Sequence, residues 1–343
     1  METLKHVLTM IKPNAWFASI DLRQAYYSIP VHKDFRKYLR FTFHDKCFEF
    51  QVLPNGLSSS PRLFTKMLKA VFSTLRKMGH TNAIYIDDSF LQSDSQKECI
   101  NNIRDTLTLV DDLGFTVHSG KSVVEPTQVI AFVGFLIDSV KMIVRPTPEK
   151  CEDIKQCCES LIQSKTFTIR EFARVIGKLV AIEPGVQYAG LHYKQLELER
   201  DTALKINKGN FDSKITKTHE GKHCLQWWIR NIDFSFRHIN LPDPVMYIES
   251  DSSNFGWGAY DRTNDVKVSG LWSSQEKIHH INYLELKAAF CTLQFLCENC
   301  ANAHIHLMLD NTVAIKYLTK MGGRVKELNE LTQDKNMHHL VVV

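Results

Sequence analysis

Hydrophobic positions in the first half of the chain recur with two periods, one typical of strands and one typical of helices. Short apolar runs, some alternating with polar residues as at Phe48 and Phe50, predict strands over residues 15–22, 38–43, 47–53, 83–86 and 89–92. A serine run before Pro61 predicts a helix start, a second helix is predicted over 97–113, and 129–137 with 142–144 predict a further hairpin. This mixture predicts an α+β domain with an antiparallel sheet.

The second half has a different pattern, and Pro146 and Pro148 mark the change. Residues 149–200 read as helical, with Thr168 capping one helix, and the polar residues 201–220 read as a linker. A second α/β unit follows, with predicted strands over 246–249, 257–260, 266–272 and 304–309 and helices over 284–296 and 312–318. The pattern fades after Gly323. The predicted domains are therefore 1–146, 147–220, 221–330 and a divergent tail over 331–343.

Composition excludes several classes of protein. Of 343 residues, 44% are hydrophobic and 23% charged, which is the balance of a globular protein and not of a disordered chain, a coiled coil or a collagen. The longest apolar run, 129–137, is too short to cross a bilayer, and the N-terminal residues lack the features of a secretory signal. The nine cysteines are irregularly spaced and read as reduced thiols. We expect a protein that is not secreted, acts in the cytoplasm or nucleus and has no membrane partner.

Charge is unevenly distributed, although the net value is only +4. No acidic residue occurs between Glu49 and Asp87, a segment that contains the predicted helix after Pro61. One face of that helix is basic and the other is apolar; the basic residues are Arg62, Lys66, Lys69, Arg76 and Lys77, and the apolar ones Leu63, Met67, Ala70, Val71 and Leu75. A basic face beside clustered acids is typical of a polyanionic partner and a metal, but a solvated helix face explains the charges equally well.

Two adjacent carboxylates, Asp87 and Asp88, lie at the predicted tip of the hairpin over 83–92. Because they repel each other, a bound hard cation with oxygen ligands would stabilise them. Asp21, at the end of another predicted strand, could complete the site, and three carboxylates can hold two magnesium ions that clamp a phosphoryl transfer. The alternative is a solvated turn, in which such dipeptides are frequent.

The order of the motifs along the first half favours the metal site over the solvated turn. In sequence they are SIDLRQAYY (19–27), LPNGLSSSP (53–61), YIDD (85–88), LGF (113–115) followed by Lys121, and FVGF (132–135). This series resembles the motif series of reverse transcriptases, most closely those of LTR-type and DIRS-type retroelements. The resemblance implies a right-hand polymerase with an α+β palm and partial fingers over 1–146, and a helical thumb or connection over 147–220.

The resemblance also implies roles for individual residues. Asp21, Asp87 and Asp88 would bind two Mg²⁺ ions, with Mn²⁺ as an alternative, and Lys121 would protonate the leaving pyrophosphate. Tyr26 would be the aromatic gate that excludes a ribose 2′-OH. The alternatives are a core tyrosine and a solvated lysine.

Further residues would contact substrates. Asn55 stands where retroviral enzymes usually carry Gln and many retroelements carry Phe, and it would contact the incoming dNTP beside Gly56, whose backbone would approach the template. The hairpin over 132–135 would position the primer end. The residues implied to bind a template–primer of RNA or DNA are Arg62, Lys66, Lys69, Tyr85, Phe132 and Gly134.

Three acids in the second unit make an independent case. Asp251 and Asp310 end predicted strands, Glu285 lies on a predicted helix, and GWGA (256–259) follows the first. This pattern, with HHIN (279–282), resembles the ribonuclease H core of DIRS-type retroelements. It implies an α/β ribonuclease H-like domain over 221–330, in which these acids hold two metals and cut the RNA strand of an RNA–DNA hybrid. The alternatives are a capping box of Asn282 with Glu285 and an N-cap at Asp310.

A second candidate metal site is weaker. Cys297 and Cys300 are followed by His304 and His306, but the spacing matches no common zinc finger or knuckle. We interpret the two cysteines as structural thiols.

The two ends of the family pattern are short. Only 20 residues precede Asp21, where reverse transcriptases have fingers, and no further strand or final catalytic carboxylate is predicted after Asp310; Asp334 lies in the tail. These features predict a truncated product. Two hypotheses follow, an RNA-directed DNA polymerase with ribonuclease H, or a non-catalytic nucleic-acid-binding or interaction remnant. A stand-alone two-metal nuclease is a third.

Overall fold

The structure, a computed structural model, describes residues 2–300, 303–323, 325–332 and 340–342. The chain forms two compact units, the first made of Met1–Thr147 with Arg237–Ile239 and the second of Pro148–Phe236 with Asn240–Val343. Within the described residues, every helix is too short or too polar to cross a membrane.

The first unit is built on an antiparallel sheet. Its elements in chain order are α1 (Leu4–Met10), β1 (Trp16–Arg23), α2 (Lys33–Arg36), β2 (Arg40–Phe43), β3 (Lys46–Glu49), α3 (Ser60–Lys77), β4 (Thr81–Tyr85), β5 (Asp88–Ser93), α4 (Gln96–Asp112), β6 (Thr116–Val117), β7 (Val123–Thr127), β8 (Val129–Phe132), β9 (Phe135–Asp138) and β10 (Ile143–Pro146). The main sheet has the order β4-β5-β1-β6, with β7 also paired to β1. All of these pairs are antiparallel, as the sequence predicts.

Helices α3 and α4 contribute to the core that covers this sheet. Phe64, Leu68 and Phe72 recur at four-residue spacing on α3 and are fully buried against the apolar residues of β1 and β5. Helix α4 begins with a capping box between Ser95 and Glu98, which satisfies amide groups that the helix itself leaves unpaired. The strand ends that carry the acids are therefore held by a continuous apolar layer.

The apolar face predicted for α3 is buried only in part, since Leu75 is fully buried and Val71 packs against the core. Leu63 and Met67 are exposed, and with Ala70 they line an open apolar groove beside Phe35 and Tyr38. The helix carries two apolar stripes, and the one with larger aromatic residues faces the sheet. Hydrophobic periodicity alone does not distinguish two stripes on one helix.

The predicted strand over 129–137 is two strands. β8 and β9 pair antiparallel across a two-residue turn in which Val133 and Gly134 both have positive φ, 49° and 75°. Positive φ at both central residues is the type I′ geometry, whose twist matches that of the flanking strands. The FVGF motif is therefore the tip of a hairpin.

The second unit begins with helices and ends with a five-stranded sheet. Its elements, together with β13, which pairs with β10 in the first unit, are α5 (Pro148–Gln163), β11 (Phe167–Thr168), α6 (Ile169–Ala181), α7 (Ala189–Ile206), β12 (Lys214–Ile215), α8 (His219–Asn231), β13 (Arg237–His238), β14 (Met246–Ser252), β15 (Gly256–Asp261), β16 (Val266–Leu271), α9 (Ile281–Leu296), β17 (Ala303–Met308), α10 (Thr312–Thr319), α11 (Lys326–Thr332) and β18 (Leu340–Val342).

The predicted linker over 201–220 is wrong as well. Helix α7 extends to Ile206, and Lys214–Ile215 form a short ladder with Phe167–Thr168. Helix α8 begins at His219, so the predicted boundary at 220/221 falls inside a helix. The ladder pairs residues more than forty positions apart in sequence, which local polarity does not reveal.

The sheet of the second unit has the order β16-β15-β14-β17-β18. The first three strands pair antiparallel, whereas β17 pairs parallel to β14 and β18 parallel to β17. Helix α9 packs on this sheet, and the Thr292 hydroxyl donates a hydrogen bond to the buried Ser250 hydroxyl on β14 at 3.0 Å. The ends of β14 and β17 therefore lie side by side next to one helix.

Regular secondary structure continues beyond Gly323, where the sequence pattern predicts that it fades. α11 and β18 both lie beyond Gly323, and β18 joins the sheet within the predicted tail. Three apolar residues give no periodicity of their own, and pairing with β17 makes them a strand. Asp334 lies outside the described residues.

The revised face of α3 predicts unequal effects of truncation. Leu68→Ala should lower the free energy of unfolding of the first unit by about 3 kcal/mol, because it leaves a cavity in a close-packed core. Met67→Ala should change it by less than about 1 kcal/mol, since that side chain is exposed. Urea unfolding followed by far-UV circular dichroism measures both, and equal losses would contradict the assignment of Leu68 to the buried stripe and Met67 to the exposed one.

Candidate functional site

The three acids of the first unit converge at one end of the main sheet. Asp21 on β1 is directly opposite Asp88 on β5, and Asp88 is paired with Tyr85 on β4. Asp87 lies in the two-residue turn between β4 and β5, and its carbonyl oxygen accepts a hydrogen bond from the Leu22 N–H at 3.0 Å. The turn is thereby fixed to β1, next to Asp21.

The tip of this turn is strained. Ile86 has a φ of +58°, a region that β-branched residues rarely adopt and that hairpin turns usually reserve for glycine. Such a conformation costs about 1–3 kcal/mol and persists only when surrounding contacts enforce it. Ile86 packs against the core of the unit, and the hydrogen bond to Leu22 holds the next residue. The backbone therefore presents Asp87 and Asp88 together.

Electrostatic repulsion within the cluster is visible in the pKa of Asp88. Burial, and then the charges of Asp87 and Asp21, raise this pKa to about 6, and a side-chain hydrogen bond with Asp21 acts in the same direction. Lys121 acts in the opposite direction. The lysine therefore faces the cluster, although it is more than thirty residues away in sequence.

Tyr26 and Asn55 lie in two loops of the first unit. Tyr26 sits in a short 3₁₀ helix and packs edge-on against Phe64, with ring centroids 5.5 Å apart. Burial and the charge of Asp87 raise the pKa of its hydroxyl, so this residue is both a packed tyrosine and a neighbour of the acids. Asn55 is exposed and donates a hydrogen bond to the Tyr27 hydroxyl at 3.3 Å.

Gly56 has a φ of +85°, and a side chain there would meet no atom within 4 Å. The position therefore requires glycine for its backbone conformation, while the space beside it is open.

The predicted nucleic-acid contacts are placed unequally. Arg62, Lys66 and Lys69 are exposed on α3. Arg76, which belongs to the predicted basic face, is instead held by the Glu2 carboxylate and by Asn82. Phe132 is 3% exposed and packs against Phe90, so its ring faces the core and not the surface.

The acids of the second unit also lie close together. Asp251 is on β14, Asp310 follows β17 and Glu285 is in the second turn of α9. One carboxylate oxygen from each lies within 4.8 Å of the other two. The parallel pairing of β14 with β17 brings the two aspartates to the same edge, and α9 packs on that sheet.

The capping alternatives for these acids are wrong. The N-cap of α9 is His280, whose Nδ1 accepts a hydrogen bond from the Asn282 N–H, so no Asn282–Glu285 capping box exists. The N-cap of α10 is Asn311. The carboxylates of Glu285 and Asp310 therefore do not cap either helix.

Glu285 is a carboxylate in an unfavourable environment. It is 4% exposed, and its Oε2 has no hydrogen-bond partner within the described part of the chain. Burial, followed by the charges of Asp251 and Asp310, raises its pKa to about 7, and the Ser252 N–H opposes this by donating a hydrogen bond. An orphaned oxygen facing two further carboxylates fits a hard divalent cation.

Some contributors to these sites are not evident from the sequence. The Ser122 hydroxyl accepts a hydrogen bond from the Asp21 N–H at 3.0 Å, and the His118 N–H donates to the Asp21 carbonyl at 2.8 Å. Their closeness to Lys121 in sequence is the only local signal. The Cys297, Cys300, His304 and His306 set does not form a comparable ligand cluster within the described residues.

Comparison with protein families identifies the first unit. Residues 1–137 match the model of the family described as "Reverse transcriptase (RNA-dependent DNA polymerase)". The match contains Asp21, Asp87 and Asp88. Residues 1–137 are a reverse transcriptase domain.

Two viral polyproteins are similar to this chain in sequence. The chain is 30% identical over 225 residues to the Gag-Pol polyprotein of Walleye dermal sarcoma virus, covering 64% of this chain and 12% of that protein. It is 24% identical over 318 residues to the Enzymatic polyprotein of Cauliflower mosaic virus (strain D/H), covering 89% of this chain and 44% of that protein. The chain thus spans less than half the length of these relatives.

Solved structures confirm the predicted fold class across both units. A foamy viral protease-reverse transcriptase bound to double-stranded DNA superposes with a TM-score of 0.57 at 15% identity, covering 97% of this chain and 57% of that chain. The same type of protein in complex with an RNA/DNA hybrid gives a TM-score of 0.56 at 15% identity, covering 98% of this chain and 45% of that chain.

The raised pKa of Glu285 predicts how the stability of the unit after the reverse transcriptase domain depends on pH. Because the folded state holds a proton that the unfolded state releases above the ordinary value of 4.5, stability in chelator should fall as pH rises from about 4.5 to about 7. The loss attributable to this group should be on the order of 3 kcal/mol.

The measurement is urea unfolding at a series of pH values, followed by tryptophan fluorescence, since four of the five tryptophans lie in this unit. Glu285→Gln should flatten the profile, and Mg²⁺ should restore stability at high pH. An identical slope in wild type and variant would contradict the assigned cause.

Proposed function

We propose that the chain is an RNA-directed DNA polymerase joined to a ribonuclease H, acting on a template–primer of RNA or DNA and on dNTPs. The observation that carries the proposal is the convergence of Asp21, Asp87 and Asp88 at one end of the main sheet, in a domain that matches the reverse transcriptase family. The relatives that were solved with double-stranded DNA and with an RNA/DNA hybrid support the choice of partners.

The acids of the first unit would hold two Mg²⁺ ions, with Mn²⁺ as an alternative. When bound, these cations lower the charge repulsion and stabilise the attacking and leaving oxygens of the phosphoryl transfer. Lys121 faces the same cluster and would donate a proton to the leaving pyrophosphate. Tyr26, whose pKa is raised in part by the charge of nearby Asp87, would fill the space that a ribose 2′-OH needs.

Contacts to the template and primer are assigned to the surface near this cluster. Asn55 and Gly56 lie in the exposed loop before α3, where they would contact the incoming nucleotide and the template. Arg62, Lys66 and Lys69 would bind backbone phosphates. The β8–β9 hairpin would position the primer through its tip at Gly134, since the ring of Phe132 is buried.

The second unit would cut the RNA strand of an RNA–DNA hybrid. Asp251, Glu285 and Asp310 offer oxygens at a mutual distance suited to divalent cations, and the unpaired Glu285 Oε2 favours such a ligand. We keep a DIRS-type retroelement as the proposed origin, on the HHIN and GWGA motifs, and the cytoplasm or nucleus as the place of action, where template and dNTPs occur.

Primer extension tests the polymerase. The purified chain should extend oligo(dT) on poly(rA) with Mg²⁺, and Asp87→Asn/Asp88→Asn should lower the rate at least about 10³-fold, because the metal ligands contribute most of the electrostatic stabilisation. Asp94→Asn is the matched control, since Asp94 is an exposed acid paired with Lys12.

The outcome separates the two main hypotheses. Extension that survives the double substitution would contradict the assigned site. A folded wild-type chain that binds the hybrid but extends no primer would favour the non-catalytic remnant.

Tyr26 gives a test of substrate selection. Tyr26→Ala opens space beside Asp87, so incorporation of ribonucleotides relative to deoxyribonucleotides should rise by about 10- to 100-fold, the range that one steric contact supplies. Tyr27→Ala, a neighbouring tyrosine whose hydroxyl contacts Asn55, is the comparison. Single-nucleotide incorporation with rTTP and dTTP measures the ratio, and an unchanged ratio in Tyr26→Ala would remove the gate assignment.

A further inference from the structure

Two side-chain amides join the elements that carry two of the acids in the second unit. The Asn311 Nδ2 donates a hydrogen bond to the Asn282 Oδ1 at 3.0 Å. Asn311 directly follows Asp310, and Asn282 lies three residues before Glu285 on α9. Residues three apart on a helix share a face, so this bond connects the backbone that carries Asp310 with the helical face that carries Glu285.

The orientation of the Asn311 amide follows from its partners. Its Oδ1 accepts hydrogen bonds from the N–H groups of Val313 at 2.9 Å and Ala314 at 3.0 Å, as the N-cap of α10. Because both partners are donors, this atom must be the oxygen, and the NH₂ group must then point toward Asn282. The bridge is therefore dictated by hydrogen-bond chemistry and not by an arbitrary amide assignment.

A hydrogen bond also holds Asn282 in place. Its N–H donates to His280 Nδ1 at 3.1 Å, which anchors it in the first turn of α9. Further along the helix, the Thr292 hydroxyl is bonded to Ser250 on β14, one residue before Asp251. The helix is thus attached to β14 through Thr292 and to the segment after β17 through Asn282.

The bridge between Asn311 and Asn282 opposes the electrostatic repulsion among the three acids. One carboxylate oxygen each of Asp251, Glu285 and Asp310 lies within 4.8 Å of the other two, so ionised carboxylates here repel one another and act to separate α9 from the strand ends. A capping residue that only satisfied α10 would need an acceptor atom alone, as serine provides. Asn311 adds a donor, and that donor is used across the gap between the two elements.

We propose that Asn311 is a positioning residue that, through its hydrogen bond to Asn282, holds Asp310 and Glu285 at the separation required to bind a divalent cation. The inference rests on the proposed ribonuclease H function of the second unit. Groups that orient metal ligands typically contribute a factor of 10–100 to metal affinity.

The test is Mn²⁺ binding to the full chain, read from the electron paramagnetic resonance signal of free Mn²⁺. An Asp87→Asn/Asp88→Asn background removes ligands of the first unit, and Glu285→Gln in that background defines the signal of the second. Asn311→Ser keeps the N-cap acceptor, and since serine caps about as well as asparagine, the variant should stay folded and lose only the bridge. Mn²⁺ affinity should fall about 10-fold.

Asn282→Ala removes the other partner of the bridge and should weaken Mn²⁺ binding by a similar factor. The Asn311→Ser/Asn282→Ala double variant should bind Mn²⁺ no more weakly than either single variant, because all three variants lack the same hydrogen bond. Asn231→Ser is the matched control, since its side-chain amide donates to the Trp227 carbonyl elsewhere in the same unit. It should bind Mn²⁺ as wild type does.

Hybrid cleavage provides a second readout. In the Asn311→Ser variant the Mn²⁺ concentration for half-maximal cleavage should rise, while the rate at saturating Mn²⁺ should stay near that of the wild type. Additive losses in the double variant, or unchanged Mn²⁺ affinity in a folded Asn311→Ser variant, would overturn the positioning role. A wild-type chain that binds no Mn²⁺ at the cluster overturns the role and the site together, whereas Mn²⁺ binding without hybrid cleavage contradicts only the proposed function.

Discussion

The register between β1 and β5 is the constraint on which the first unit depends. It places Asp21 opposite Asp88, and because side chains alternate along a strand, a shift by one residue would move one of these carboxylates to the other face. The buried residues of α3 and α4 hold that register from one side of the sheet. The strained Ile86 turn and its hydrogen bond to Leu22 then set the position of Asp87. Packing, register and turn geometry thus act together to keep like charges close.

Keeping like charges close lowers the stability of the empty protein, and this is the physical sign of a site. The pKa of Asp88 and that of Glu285 are raised by the same two causes, burial and neighbouring carboxylates. A fold selected only for stability would replace such residues or pair them with cations. Their accumulation at the ends of strands, with a buried and unbonded oxygen in the second cluster, indicates that a cation is part of the functional state.

The acids could be predicted from the sequence, whereas much of their support could not. Asp21 and the Asp87–Asp88 pair follow from short apolar runs that end in acids, which is a local pattern. The buried stripe of α3 could not be chosen because the helix carries two apolar stripes. The strand at Leu340–Val342 exists through pairing with β17. The caps His280 and Asn311 lie within two residues of Asn282 and Asp310, which are residue types equally or more strongly preferred at an N-cap. Long-range pairing and the choice between adjacent caps are decided by tertiary structure.

The two clusters differ in how they tolerate the loss of a cation. In the first, Asp88 is hydrogen-bonded to Asp21, so the pair can share a proton, and Lys121 supplies a positive charge that opposes the repulsion. In the second, the charges that act on Glu285 come from Asp251 and Asp310, and the Ser252 N–H is the only opposing group that acts on it among the described residues. A backbone dipole neutralises less charge than an ammonium group. Since Glu285 is also the more deeply buried acid, the second cluster depends more on a bound cation, and the hydrogen bonds that tie α9 to the strand ends must resist a larger uncompensated repulsion there.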